Sequence, residues 1–228
     1  MQPTSAGPIE RLLSRPQLLD PRSCVQDYLD EAAKAYWEEK DLALVATLSI
    51  AGIGYGFGIE RDCAGSNSEL VHDVLGTVKA IAYNLASFTW PGWDEPGIRI
   101  GVTDVDLGLD AAKINLRLAE QLGKGDLAVS RAHWMLGGHY LAARQFEEAG
   151  HCYAVAMNHA SRAGEAAEQN LAVGFAILTA LCATPDETLL KERLKGVQQS
   201  LSTQENGESF IKQIETAQRV FLGEGGDL

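Results

Sequence analysis

Two adjacent segments near the middle of the chain carry large and small side chains at helical spacing. Leu136, Gly137 and Tyr140 fall at positions i, i+1 and i+4 and therefore share one face of a helix. The next segment repeats the alternation of bulk at offsets of 0, 3, 7 and 10, with Phe146, Ala149, Tyr153 and Ala156. Because only Arg144 and Gln145 separate the two segments, the pattern predicts an antiparallel helical hairpin with interdigitated side chains.

This hairpin, at about residues 130 to 163, resembles one tetratricopeptide repeat (TPR). The family's pattern asks for an early aromatic, then Leu-Gly and Tyr, and later small, aromatic and small residues. The matching residues are Trp134, Leu136, Gly137, Tyr140, Ala149, Tyr153 and Ala156. Two departures are His133, where the family most often has its Trp, and Ser161, where a Pro would close the unit. The resemblance implies an all-α protein of the α-α superhelix type, a right-handed solenoid of about four helical hairpins with a C-terminal capping helix.

Length and charge set the expected domain organisation and the classes of partner. The 228 residues suit one repeat domain, which we expect over residues 23–223, with a flexible N-terminal lead-in at 1–22 and a flexible tail at 224–228. The formal net charge of -12 argues against nucleic acid and anionic membranes, since both need a basic surface. The charge instead favours a protein or peptide segment that is basic or apolar.

The cysteines and the N-terminus bear on the cellular compartment. Four cysteines are scattered without a CxxC pair, at Cys24, Cys63, Cys152 and Cys182. This spacing indicates neither a zinc site nor a compact disulfide framework, and it favours reduced thiols. The N-terminal residues lack the apolar core of a signal peptide. We therefore expect a cytoplasmic protein.

One uncharged run tests the assignment as a soluble protein. Leu42 to Ile59 is 18 residues without a charge, the lower limit for a membrane span, and its glycines form two GxxxG pairs at 52/56 and 54/58. Acidic residues flank the run on both sides. The flanks and the glycines favour a helix packed among other helices over a membrane span.

Periodicity predicts nine helices, arranged as four hairpins and a closing helix. The predicted helix starts are Ser23, Leu42, Ser66, Thr103, the two halves of the hairpin, Glu165, Thr184 and the segment before Phe210. The start at Thr184 rests on an N-cap followed by Pro and acidic residues. Only Ile98 to Val102 could form a short extended piece. Residues 119–125 also align with residues 160–166 at a shift of 41, which supports stacked repeats.

Motifs for chemistry are weak throughout the sequence. The alternating glycines at 52 to 58 form neither GxGxxG nor a P-loop, and the acidic run at 104 to 110 lacks the sixth-place Gly and the twelfth-place acid of a calcium loop. Four histidines lie on the hairpin, at His133, His139, His151 and His159. Their spacing puts them on several faces, so core or surface positions are favoured over a metal or catalytic role. No cofactor, metal site or enzyme activity is expected.

The TPR resemblance implies where a partner would bind. In such stacks the first helices of the hairpins line a concave groove, whose positions here are Arg131, Trp134, Gly138 and Leu141. Carried onto the third helix, the last three positions become Tyr83, Ser87 and Trp90. The loop that follows, Trp90 to Gly97, adds Trp93 and has two interpretations. Its tryptophans either plug the end of a hairpin or contact a ligand as binding hot spots.

Three hypotheses for function follow from this sequence. The first is a non-enzymatic adaptor that binds a peptide or protein segment in an aromatic-lined groove. The second is an enzyme or small-molecule receptor with a pocket around Trp90, Trp93, Tyr83 and His133. The third is self-association, as a homodimer, through the C-terminal helix or the Gly-rich helix. The first hypothesis predicts that Trp134→Ala abolishes partner binding and leaves most of the stability intact.

Overall fold

The computed structural model describes residues 20–63 and 65–223, and these residues form nine α-helices and no strand. The all-α prediction and the helix count are confirmed for this part of the chain. The helices are α1 (Pro21–Lys34), α2 (Leu42–Asp62), α3 (Ser68–Phe88), α4 (Val102–Gln121), α5 (Asp126–Ala142), α6 (Phe146–Ala163), α7 (Ala166–Ala183), α8 (Thr188–Leu201) and α9 (Gly207–Leu222). A π-helical turn (Ala35–Glu39) extends α1, and a 3-10 turn (Pro91–Trp93) follows α3. The flexible tail and most of the predicted lead-in lie outside the described residues.

The chain divides into two compact units, Met1–Leu85 and Ala86–Leu228. In the first unit α1 packs against α2. Two glycines of α2 allow close approach, since a Cβ at Gly52 would lie 2.7 Å from the Cβ of Tyr28 and one at Gly56 would lie 2.1 Å from Val78. Among the fully buried core residues of this unit are Val25, Val45, Val74, Val78, Ile81 and Ala82.

In the second unit each helix from α4 to α8 packs against the next one along the chain. Two further contacts join helices that are not consecutive, since α5 touches α7 and α7 touches α9. The core of this unit is built mainly from the facing sides of these helices. Its largest fully buried side chains are Trp90, Tyr153, Phe175, Leu118, Met135, Leu141 and Leu178.

The repeat seen at a shift of 41 is a repeated helix ending. The N–H of Lys124 bonds to the carbonyl oxygen of Ala119 at 3.0 Å, and the N–H of Glu165 bonds to that of Ala160 at 3.0 Å. Each ending holds a glycine in the left-handed region, with φ of 58° at Gly123 and 77° at Gly164. Both α4 and α6 therefore end with the same glycine-dependent cap.

Three predicted helix starts, those of α1, α3 and α4, differ from the structure. α1 begins at Pro21, so Ser23 lies inside the helix. α3 is capped by Asn67 rather than Ser66, because the Asn67 side chain accepts the Leu70 N–H at 3.1 Å. α4 begins at Val102, one residue before the predicted cap Thr103.

The prediction of a helix start with Thr184 as its N-cap was wrong by three residues, since the N-cap of α8 is Glu187. Its hydroxyl donates to the carbonyl oxygen of Ala180 at 2.9 Å, so Thr184 closes α7, and α8 begins only at Thr188. The extended piece predicted at Ile98 to Val102 is also absent from the described residues. Residues 98–101 have no regular structure, and Val102 opens α4.

Two helices are long and apolar enough to cross a membrane by length and composition. They are α2 and α7, with mean hydropathies of 1.8 and 1.4 in their most apolar windows. Core helices of soluble proteins have the same properties, so this finding is weak evidence on its own.

Candidate functional site

The hairpin of α5 and α6 supplies the scaffold of the second unit's site. Gly137 lies against Tyr153, since a Cβ on Gly137 would be 3.0 Å from the edge of that ring. Across the same hairpin, the Ser130 hydroxyl donates to the carbonyl oxygen of Ala156 at 2.8 Å. The packing of small against aromatic residues predicted for this hairpin is therefore present.

Trp90 is fully buried and lies at the centre of an aromatic cluster. Its Nε1–H donates to the carbonyl oxygen of Gly138 at 2.9 Å. Gly92 makes room for the ring, because a Cβ there would lie 2.2 Å from the indole. The rings around Trp90 have centroids 4.8 to 6.2 Å away and belong to Trp93, Trp134, Phe175 and Phe221.

The structure places Trp93 and Ser87 next to each other. The Trp93 Nε1–H donates to the Ser87 carbonyl oxygen at 2.9 Å and lies 3.2 Å from the Ser87 hydroxyl. Trp93 and Trp90 meet edge to face, with centroids 4.8 Å apart and planes at 87°. Both tryptophans of the loop are therefore packed within the second unit.

Trp134 is enclosed by the chain itself rather than presented on a surface. Its side chain is only 7% exposed, and it meets Phe175 edge to face at 5.0 Å. The indole Nε1 is buried without a hydrogen-bond partner among the described residues. This arrangement makes Trp134 a major packing residue of the core.

Tyr83 and Arg131 are two further predicted groove residues, one in each unit. Tyr83 is half-buried, with the Lys79 ammonium 5.8 Å from its ring. Arg131 is exposed and bonds through Nε and a terminal nitrogen to one carboxylate oxygen of Glu168, at 2.8 and 2.6 Å. The Arg131 pair joins α5 to α7 beside a depression of 250 Å³.

A larger cleft of 640 Å³ opens in the second unit, where the ends of several helices meet. Leu141, the last of the predicted groove residues, contributes to its floor although only 1% of that side chain is exposed. The cleft is lined by the start of α4, the α5–α6 connection and the ends of α7 and α9. Its apolar lining includes Val102, Val105, Leu141, Phe146, Val220 and Phe221.

Two charged residues lie at this cleft, Arg144 and Asp106, and both are exposed. Arg144 sits in the α5–α6 connection with φ of 58°, a left-handed conformation that favours glycine. Its guanidinium lies 5.8 Å from the centre of the Phe146 ring, within range of a cation–π contact. The arrangement places a cationic donor at the wall of a cleft that has both polar and apolar lining.

The cleft also contains one thiol, that of Cys182. Burial raises the pKa of Cys182 to about 11, against a smaller opposing effect of the Arg144 charge. The thiol is therefore protonated at neutral pH, which makes it a poor nucleophile.

Three histidines of the α5–α6 hairpin, His139, His133 and His159, pack against other groups of the protein. His139 is fully buried, and its Nε2–H donates to the carbonyl oxygen of Ala86 at 2.8 Å. Burial lowers the pKa of His139 to about 4, so its ring is neutral at pH 7. His133 stacks on His159 with centroids 5.8 Å apart, and burial, aided by the charges of neighbouring histidines, also lowers its pKa to about 4.

His159 belongs to a network with Asp126 and Arg162 at one end of the hairpin. Its Nδ1 lies 2.6 Å from a carboxylate oxygen of Asp126, which also accepts the Arg162 Nε–H at 3.0 Å. Hydrogen bonds from Arg162 and His159 lower the pKa of Asp126, and the bond from Arg162 has the larger effect. Within residues 20–63 and 65–223, His, Cys, Asp and Glu form no group of three or more suited to a metal ion.

Comparisons with family models, curated proteins and solved structures return no match for this chain. The candidate site therefore rests on the chain's own geometry. Leu141 was predicted from the sequence as a groove residue, but most of the residues that line the cleft were not predicted as site residues. Among those not predicted are Val102, Val105, Asp106, Arg144, Cys182 and Phe221.

Proposed function

We propose that this chain is a non-enzymatic adaptor that binds a protein or peptide segment at the 640 Å³ cleft of its second unit. The finer architecture that we propose for this unit is a TPR-like, right-handed stack of helical hairpins. Support comes from the packing of each helix on the next and from the contacts of α5 with α7 and α7 with α9. In a hairpin stack these would be the first helices of successive hairpins.

The observation that carries the proposal is the conformation of Arg144. A non-glycine residue with positive φ costs free energy, on the order of 1 kcal/mol, and such residues cluster at functional sites. Here the strained backbone holds a guanidinium beside Phe146 at the cleft wall. An extended guest segment would offer backbone carbonyl oxygens to this donor.

The lining and the charges indicate the chemistry of the guest. The apolar floor suits one or two apolar side chains, as peptide-binding grooves generally do. The exposed Asp106 at the same cleft suits a neighbouring basic residue, in keeping with the net charge of -12. The guest that we propose is thus an apolar segment flanked by a Lys or Arg.

A displayed library of random peptides, selected on the full chain, tests this function. Val102 lines the cleft, lies at the start of α4 and is 62% exposed. Leu189 is a matched control, since it lies in the first turn of α8, is 60% exposed and is absent from the cleft lining. We expect Val102→Asp to weaken selected peptides at least tenfold and Leu189→Asp to leave their affinity unchanged. Equal affinity for both variants, or no enriched peptides, contradicts the proposal.

A further inference from the structure

The outward face of α2 carries a stripe that the proposed function does not use. Its members recur at helical spacing and are Ala43, Thr47, Ile50, Gly54, Gly58 and Arg61. At 100° per residue they fall within about 80° of arc, opposite the buried side of the helix. The one hydroxyl among them, that of Thr47, already donates to the carbonyl oxygen of Ala43 at 2.8 Å. The stripe is therefore apolar as far as Gly58 and ends at a cation.

The glycines of α2 fall into two pairs with different surroundings. Gly52 and Gly56 face the interior of the first unit, where any larger residue would collide with Tyr28 or Val78. A Cβ on Gly54 would meet no described atom within 4 Å, and one on Gly58 would meet only Arg61, at 4.0 Å. Glycine inside a helix costs about 1 kcal/mol relative to alanine. Close packing inside the unit explains why glycine is present at 52 and 56. It does not explain the glycines at 54 and 58.

The stripe carries both a projecting side chain and a recess, so it can pack against a second copy of itself. Ile50 projects from it and is 54% exposed, while Gly54, one turn later, is a notch on the same face. When two copies of this face meet antiparallel about a two-fold axis, each Ile50 lies over the other copy's Gly54. Small residues at such positions let helix backbones approach closely.

The charges at the two ends of α2 favour the antiparallel orientation. The Arg61 side chain is 78% exposed at the carboxyl end, where its Nε lies 3.1 Å from Asp62. Glu38, Glu39 and Asp41, all exposed, precede or cap the amino end. Glu60 and Asp62 flank Arg61 but lie about 100° away from it around the helix, so Arg61 is the charge on the stripe side of the carboxyl end. An antiparallel pair brings each Arg61 to the other copy's acidic amino end, whereas a parallel pair would place one Arg61 beside the other. Antiparallel helix dipoles also attract each other.

From these observations we propose that α2 is a homodimerisation surface, occupied by α2 of a second copy of this chain in antiparallel orientation. Because the pair has a two-fold axis, each contact occurs two times. In each, Ile50 of one copy lies in the notch at Gly54 of the other, and Arg61 of one copy lies beside the acidic amino end of the other. It uses the first unit alone. The peptide cleft of the second unit is a separate site.

Sedimentation of the full chain between about 1 and 200 µM, the range that reveals moderate affinities, tests the proposal. Gly54→Leu fills the notch from outside, and we expect it to raise the dimer Kd at least tenfold. Gly196→Leu is the matched control, because Gly196 is exposed within α8 and has no atom within 4 Å of an added Cβ. Both changes introduce a better helix former, so neither should lower the unfolding midpoint. A wild-type chain that is monomeric throughout, or a dimer unaffected by Gly54→Leu, overturns the proposal.

Charge reversal tests the orientation, and vesicles test the competing occupant. Arg61→Glu should weaken the dimer, and Arg61→Glu combined with Glu39→Arg should restore at least half of the lost affinity. A double variant that stays as weak as the single one overturns the antiparallel arrangement. Flotation of the wild-type chain with phosphatidylcholine–phosphatidylglycerol vesicles that is abolished by Ile50→Glu would assign the stripe to a lipid surface and overturn the dimer.

Discussion

The indole Nε1–H of Trp90 donates to the carbonyl oxygen of Gly138, and this 2.9 Å bond joins residues 48 positions apart. The approach depends on the missing side chain of Gly138, because a Cβ there would lie 3.0 Å from Nε1. The bond fixes the turn after α3 to the middle of α5. The Trp90–Gly97 loop was interpreted either as a plug at the end of a hairpin or as a ligand contact. This geometry favours the plug for Trp90.

Replacing Trp134 by alanine should destabilise the second unit by about 3–5 kcal/mol, the usual cost of deleting a buried large aromatic side chain. Trp134 is 7% exposed and packs on Trp90 and Phe175. The sequence predicted that this variant keeps most of its stability, and the burial of Trp134 reverses that expectation. Urea unfolding followed by circular dichroism measures the loss. Trp37→Ala, at a tryptophan that is 58% exposed, is the control, and equal losses in both variants would refute the packing role.

Gly108→Ala should destabilise the chain by about 1–3 kcal/mol through overpacking. A Cβ on Gly108 would lie 2.1 Å from the His139 ring and 2.2 Å from the Thr89 hydroxyl. Gly150→Ala is the matched control inside α6, where an added Cβ meets no atom within 4 Å. It should stabilise by about 0.5–1 kcal/mol, because alanine is the better helix former. Thermal unfolding compares the two, and a Gly108→Ala variant as stable as Gly150→Ala would contradict the expected clash.

The helices and the central hairpin were predictable because their pattern is local. Spacing of three and four residues marks a helix face wherever the helix packs, and the Gly137–Tyr153 contact lies between neighbours in sequence. Helix starts were less predictable. The Thr184 side chain could bond either to the last turn of the preceding helix or to the first turn of the following one. It donates to the carbonyl oxygen of Ala180, in the last turn of α7.

The site was less predictable because it brings together distant segments. The pattern identified the tryptophans, but a helical wheel cannot tell an open groove face from one covered by later helices. Here Phe175 and Phe221, from α7 and α9, pack around Trp90. The cleft joins residues as far apart as Val102 and Phe221. The spacing of residues within one helix cannot predict that such distant residues line the same cleft.

Stability should fall as the pH drops from about 6.5 to 4, because His139 is buried in its neutral form. Its folded pKa of about 4 lies below its ordinary value of 6.5, so the unfolded chain binds the proton more readily. The stabilisation is fully present above pH 6.5 and is lost as the pH falls through 4. From this group alone the loss is on the order of 3 kcal/mol, and the lowered pKa of His133 acts in the same direction.

Urea unfolding at several pH values between 7 and 4 measures this dependence. His139→Gln keeps a donor that can reach the Ala86 carbonyl oxygen and removes the titrating ring, so the slope of stability against pH should decrease. His72→Gln, at an exposed histidine of α3, should leave the slope unchanged. Identical slopes for the two variants would contradict the assignment to His139.

Arg144→Gly should separate stability from binding. Glycine adopts the left-handed conformation at φ of 58° without steric cost, and we expect the variant to gain about 0.5–1 kcal/mol in unfolding free energy. The same change removes the guanidinium at the cleft, so peptides selected on the wild-type chain should bind at least tenfold more weakly. Asn206→Gly, at φ of 61° before α9, relaxes a comparable backbone position outside this cleft and should leave peptide affinity unaltered. Calorimetric titration and thermal unfolding of the same samples give both quantities. Unchanged peptide affinity in Arg144→Gly would show that the strain at this residue serves something other than guest binding.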